Sequence, residues 1–460
     1  MKNKQNCSLS IQSQINNRKL SLDCEIRNSM KSLGFKSMLN QANIKKSKGV
    51  FTIHLIYLIL LIPFLKKSLS FYWSKNCYIN QTNARKDTFY RLLNKETFNW
   101  RNLVHMLASK IIDRCGDVPH RQKTLIADDT IAPKTGKNME MVSYHFDHAK
   151  RRNILGYQFL QLGFHNGINF FPISVSPHTS TKRPNNRLRN IDKRTIGWRN
   201  RKESLRKKTE TLIEMVAKAW NNGYDASFVM FDSWFAHDSI ISKILDIGYG
   251  VICRLKRGKA KYKYNGEFYT LKQLWSKFAK KQTVWLPDLG LKAVCLNVCL
   301  KNSGIVRILF VSNGKKQWSA FLSTDLELNS SEILNYYSRR WSIEVFFKDA
   351  KQMLLLGKEQ SSTFEAVVAS YHLVMIRYLL LVNILNRLTF TGPIGPLFRE
   401  IAENQIMQSV SEQLWSGIKE LIIKSSDVIL QNINPKSLLL LIDIIEEAVS
   451  GQHEILPAKL

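Results

Sequence analysis

The 460-residue sequence has no C-x-x-C pair, no H-x-x-x-H spacing and no glycine-rich phosphate loop. Its seven cysteines, at 7, 24, 77, 115, 253, 295 and 299, are scattered and odd in number. That distribution excludes a disulfide framework and a cysteine zinc site, and it suits a reducing, cytoplasmic setting. The missing histidine pair removes the common zinc hydrolases, and the missing glycine-rich loop removes nucleotide triphosphates as cofactors. Residues 1–30 lack an apolar segment of the kind a secretory signal carries. The one marked apolar run, Val50 to Leu65, is too short to cross a bilayer comfortably and is broken by Pro63, so a buried helix is expected there.

Acidic residues are also scarce. There are 36 Asp and Glu against 68 Lys and Arg, a formal net charge of +32. A field of that size attracts polyanions and releases their counterions on contact. Nucleic acid is the favoured partner, with an anionic membrane surface as the rival and no membrane span expected. The charge is uneven: the first 50 residues hold ten bases and two acids, whereas residues 391–460 hold five bases and nine acids.

Periodicity divides the chain. Residues 1–115 read as a basic helical region. An α/β block follows over 116–257, with strands at Thr124–Thr130, Tyr157–Phe164, Phe170–Val175, Phe228–Phe235 and Tyr249–Leu255, and a helix from Glu203 to Trp220. Asn166-Gly167 marks a hairpin turn. Residues 258–325 read as a strand-rich insertion expected to form its own sheet. Helix returns at Ser330, where Asn329 and Glu332 form a capping-box pattern, and runs to about Gly357. The core closes over 326–390, and 391–460 form a helical tail.

Three acids stand at element ends. Asp129 and its neighbour Asp128 end the first strand, and the apolar run from Phe228 leads straight into Asp232. Glu344 lies on the late helix with Tyr337, Arg340 and Lys351 spaced around it. Adjacent strand residues face opposite sides, so only one of Asp128 and Asp129 faces a common site. Residues 181–208 carry twelve bases and two acids, suited to tracking a phosphate backbone, with Arg189, Lys193 and Arg194 as representatives. Tyr144 to His148 is the densest histidine cluster, and it reads as a loop between strands.

The pattern Tyr337-x-x-Arg340-x-x-x-Glu344-x-x-x-x-x-x-Lys351 resembles the YREK signature of IS4-type insertion-sequence transposases. Asp128-Asp129-Thr130, Phe231 to Phe235, Ile191 to Thr195 and Ser323-Thr324-Asp325 are similar to that family too, over about residues 85–390. The resemblance implies an α/β, ribonuclease-H-like catalytic core with a β-rich insertion, flanked by helical regions. It implies DNA cutting and joining with two Mg²⁺ ions, replaceable by Mn²⁺, held by Asp129, Asp232 and Glu344. Asp129 is favoured over Asp128 because the family places its acid directly before Thr or Ser. Tyr337, Arg340 and Lys351 are implied phosphate clamps on the element end. Double-stranded DNA, both inverted-repeat ends and target, is the implied partner of a chain that dimerises on DNA. An inactive, transposase-derived DNA-binding protein is the alternative. Members that make hairpin ends stack a flipped base on an aromatic residue, for which Trp285 and Trp318 are candidates, although core packing is the commoner role for a tryptophan.

Overall fold

Leu125, Ile126 and Ala127 are fully buried at successive positions of strand β1 (Thr124–Pro133), as in a strand covered on both faces. The structure, a computed structural model, describes residues 22–65, 84–116, 118–147, 150–180, 191–314, 317–389 and 392–403. The chain divides into two units, 94–379 and 1–93 with 380–460.

Helices α1 (Leu22–Ser32), α2 (Phe35–Gln41), α3 (Thr52–Leu61) and α4 (Lys86–Leu93) lie in the smaller unit. The larger unit holds α5 (Trp100–Ile112), α6 (Ile196–Ser204), α7 (Lys208–Asn221), α8 (Asp238–Ile247), α9 (Leu271–Lys277), α10 (Ser330–Ser338) and α11 (Trp341–Gln352). Helix α12 spans Phe364–Arg387. In the smaller unit the apolar run expected to be a buried helix is α3, buried from Leu55 to Leu61. Gly34, at φ 68°, makes the left-handed turn between α1 and α2 that a side chain would strain. Helix α12 is apolar and long enough to cross a membrane, but 94% of its most apolar window is buried in the fold.

The other strands are β2 (Ser143–Asp147), β3 (Arg152–His165), β4 (Phe170–His178), β5 (Phe228–Phe231), β6 (Gly250–Leu255), β7 (Lys261–Tyr264), β8 (Glu267–Thr270), β9 (Val284–Leu286), β10 (Leu291–Leu300), β11 (Gly304–Ser312) and β12 (Trp318–Ser323). All twelve belong to one mixed sheet, ordered β2-β3-β1-β5-β6-β12-β11-β10-β7-β8, with β4 on β3 and β9 on β10. β1 is antiparallel to β3 and parallel to β5, and β5 is parallel to β6. The fold is thus mixed α/β with one large sheet.

Four expectations need correction. The block 258–325 is rich in strands, but it extends the main sheet through pairing of β12 with β6 instead of forming a separate one. It also contains α9, whose Thr270–Gln273 capping box was overlooked. The helix expected over Glu203–Trp220 is α7, which starts later, at Lys208, after a separate helix α6 that ends at Ser204. Tyr144 to Asp147 is not a loop but part of β2, with His145 inward and Tyr144 and Phe146 outward. Finally, the Ser330–Gly357 helix is interrupted. α10 starts as expected, Asn329 and Glu332 exchanging bonds of 3.0 and 2.8 Å. At its end, however, Arg339, Arg340, Ser342 and Ile343 donate to carbonyls three residues back, a tighter 3₁₀-type winding. α11 therefore presents its side chains in a register that a single continuous helix would not give.

Candidate active site

Pairing of β1 with β5 fixes which acid meets which. Thr124 lies opposite Phe228 and Ile126 opposite Met230; carried two residues beyond the paired stretch, that register would set Asp128 beside Asp232, one residue past the end of β5, and Asp128 feels the Asp232 charge. Residues opposite one another on paired strands project to the same face, so Asp129 is directed to the other. Its partners agree: the Asp129 carboxylate is paired with the Lys208 ammonium at the start of α7. Lys208 Nζ also sits 4.2 Å from the ring centroid of Trp234. His145 and His178, their rings 6.5 Å apart, lie close enough to Asp129 and Lys208 to feel both charges. Burial, reinforced by that ammonium, lowers both imidazoles to about 4, so both are neutral at pH 7.

On the other face, α11 supplies Arg340 and Glu344. Buried Ile343, Phe346 and Ala350 seat this helix, Phe346 packing 5.6 Å from Phe170 and 5.0 Å from Tyr378 between ring centroids. Arg340 Nη1 donates to Asp128 Oδ2 at 3.0 Å, and Nη2 donates to Glu344 Oε1. Asp128 Oδ1 accepts the Asp129 amide at 2.8 Å. Burial raises the Asp128 carboxyl to about 7; Arg340 and the Asp129 amide oppose the rise, while the charges of Asp129 and Asp232 add to it. Asp232 Oδ1 accepts the Trp234 amide at 2.9 Å. Tyr337 packs 4.8 Å from Phe321 and 5.6 Å from the Arg340 guanidinium, and burial lifts its phenol to about 12.

The structure thus brings Asp128, Asp232, Glu344, Arg340 and Tyr337 together, and turns Asp129 away from them. Lys351 is at the far end of α11, near Asp147 and Lys150. Lys193 and Arg194 are exposed, Arg194 paired with Asp192, and Arg189 lies outside the described residues. One member of that basic stretch serves the interior instead. Arg201 is 1% exposed and grips Glu140 through two bonds, of 2.6 and 2.7 Å, and Glu365 at 2.6 Å. Trp318 has Trp275 stacked at 5.3 Å and the Arg257 guanidinium 4.2 Å from its ring centroid, so its rings are already used. Trp285 is 51% exposed.

Sequence reasoning overlooked Lys208. It was one base in a run of twelve, and only the β1 register reveals its partner.

Three carboxylates and no sulfur or nitrogen form a donor set suited to a hard divalent ion. Asp128 is raised chiefly by burial and to a smaller extent by the Asp129 and Asp232 charges, and a cation beside it would favour its ionised form. Among the described residues, however, no three His, Cys, Asp or Glu side chains are grouped closely enough to hold an ion as they stand. The expected convergence of the acids is therefore incomplete, and the Arg340 guanidinium joins Asp128 to Glu344.

Residues 74–267 match the family model described as DDE superfamily endonuclease, and residues 199–380 match that of the transposase DDE domain. A search of curated proteins gave no match. Among solved structures, the chain is similar to the piggyBac transposase synaptic complex with hairpin DNA, at 11% identity and TM-score 0.47, covering 83% of this chain and 78% of that one. A second similarity is to the Drosophila P element transposase strand transfer complex, at 11% identity and TM-score 0.23, covering 88% of each chain. The two family models overlap between Arg199 and Glu267 and divide the clustered acids between them: Asp128 falls in the first, Glu344 in the second and Asp232 in both. The chain carries DDE superfamily transposase domains over residues 74–380 and is a DNA transposase, an enzyme of the DDE type, a class that generally uses divalent metal ions.

Proposed function

We propose that the chain is a cut-and-paste transposase of the IS4 type, acting on the inverted-repeat ends of its own element with Asp128, Asp232 and Glu344 as its acids. The observation that carries this reading is the sharing of Arg340 between Asp128 and Glu344, with Asp232 near enough for its charge to act on Asp128. A ribonuclease-H-like core is supported by the order β4-β3-β1-β5-β6, in which antiparallel pairs give way to parallel ones. Acids at the end of β1 and just beyond β5, followed by one on a helix after the β-rich insertion, suit the same core.

Two Mg²⁺ ions, or Mn²⁺ in their place, would be held by these three acids, and would activate the attacking oxygen and stabilise the leaving one. The protein's own groups do the rest. Arg340 offers a planar fork to a phosphate, and Tyr337 beside it offers one hydroxyl donor. Lys351 adds a point charge about three turns beyond Arg340, in the last turn of α11. Lys193, Arg194 and Arg189 extend a basic track for duplex DNA outside the acids. Two protomers bridging the two ends, in the cytoplasm on the bacterial nucleoid, complete the proposal.

The test is nicking of a duplex carrying the inverted repeats that flank the coding region, with Mg²⁺ and with EDTA. Cleavage that needs Mg²⁺, is lost in Glu344→Gln and leaves end binding intact agrees with the proposal. Cleavage by Glu344→Gln at the wild-type rate removes that acid from the mechanism.

A further inference from the structure

Arg340 is committed twice: one guanidinium spans Asp128 and Glu344. Its side chain is 13% exposed, against 20% for Asp128 and 33% for Glu344, and its Nε is buried without an acceptor. A guanidinium is built to take one planar oxyanion through parallel donors. Here the fork is divided between two carboxylates, with a donor left over.

Charge determines the consequence. Asp128 and Glu344, bridged by Arg340, set two acids in a partly buried space, and the Asp232 charge is near enough to act on Asp128. Arg340 supplies the neutralising charge in the structure, and a divalent ion held by the same acids would supply it instead. Guanidinium and ion together repel, because both would lie against the same two carboxylates. The repulsion is relieved if an anion draws the guanidinium aside. A DNA phosphate is such an anion, and it offers the fork the oxyanion geometry that the divided arrangement lacks.

We propose that Arg340 is an exchange group: it closes the acid site in the free protein, and a DNA phosphate draws it off so that divalent ions enter. The inference rests on the reading of Asp128 and Glu344 as metal-holding acids. DNA and ions then bind this site cooperatively, and linkage makes the effect reciprocal. Arg340 acts as a positioning residue for the ions as well as a contact for the strand. A protein built this way holds no loaded metal centre until DNA is present.

The experiment measures Mn²⁺ binding to the full-length protein by the electron paramagnetic resonance signal of free Mn²⁺, with and without a mixed-sequence DNA duplex. Wild type is expected to bind Mn²⁺ at least tenfold more tightly with the duplex. Without DNA, Arg340→Met is expected to bind at least tenfold more tightly than wild type and to gain little from the duplex. Arg340→Lys, which keeps the charge and loses the fork, falls between. Circular dichroism checks folding; if Arg340→Met fails to fold, the wild-type duplex effect and Arg340→Lys still decide. Equal Mn²⁺ affinity in wild type with and without DNA, and in the folded variants, overturns the proposal. A gain in Arg340→Met that survives addition of Asp128→Asn means that the ions bind elsewhere, and it overturns the acid assignment as well. A gain abolished by Asp128→Asn keeps both.

Discussion

Asp128 and Asp129 are neighbours on β1, yet their carboxylates serve opposite faces of the sheet, Asp128 held by Arg340 and Asp129 by Lys208. The two positions therefore have different duties. Asp128 stands with Asp232 and Glu344, whereas Asp129 ties β1 to the first turn of α7.

The Asp129–Lys208 pair is expected to be structural. Both side chains are largely buried, at 25% and 12% exposure, so losing one partner strands a charge. Lys208→Met should lower unfolding stability by about 1–3 kcal/mol. Adding Asp129→Asn should recover a good part of that loss. Urea denaturation of the two variants and wild type checks this; equal losses in the single and double variants would mean that the pair carries no coupling.

Arg201 should behave unlike its basic neighbours. Replacing it with Met leaves Glu140 and Glu365 buried and unpaired, at a cost of about 3–5 kcal/mol. Lys193→Ala and Arg194→Ala should leave stability unchanged. If those two residues meet phosphate, each replacement lowers the slope of log affinity against log salt by about 0.9. Thermal unfolding and salt-titrated DNA binding separate the two classes.

Asp128 predicts a pH dependence. Its carboxyl is raised from the usual carboxylate range to about 7, so the folded state holds a proton there that the unfolded chain releases near pH 4. The stability that proton gives is present in acid and is lost as pH rises through 7. A divalent ion selects the ionised form, so its binding expels the proton and strengthens as pH rises towards 7. The rise in melting temperature caused by Mg²⁺ should therefore grow between pH 5.5 and 7.5 in wild type and be flat in Asp128→Asn.

The clamp on α11 gives a further comparison. Arg340→Lys should reduce cleavage more than end binding, because charge survives and the fork does not. Arg339 is no neutral control, since it donates to the Gln122 carbonyl at 2.6 Å and lies over the Tyr336 ring. Lys243, exposed on α8, is the better one. Lys243→Ala should keep cleavage within about twofold of wild type, a change below 0.5 kcal/mol in barrier.

Much of this arrangement was legible in the sequence, and the rest was hidden for identifiable reasons. Alternating patterns gave β10, β11 and β12, and Asn329 with Glu332 gave the start of α10. β2 was missed because its alternation is inverted, with Tyr144 and Phe146 outward and His145 inward. The break before α11 left no trace, since Arg339 and Arg340 keep helical backbone angles and no glycine or proline marks the tightened turn. Alternation showed that only one of Asp128 and Asp129 faces the site, and the resemblance favoured Asp129. The strand register, which a single sequence does not contain, favours Asp128.

If Asp128, joined to Glu344 through Arg340, is the acid on β1 that serves cleavage, Asp128→Asn and Asp129→Asn must differ in Mg²⁺-dependent nicking of the element ends, both variants first shown to be folded by circular dichroism. Asp128→Asn should lose cleavage by at least a thousandfold, about 4 kcal/mol in barrier. Asp129→Asn should keep it within about tenfold while losing stability. Abolished cleavage in Asp129→Asn, with Asp128→Asn still active, would return the role to Asp129.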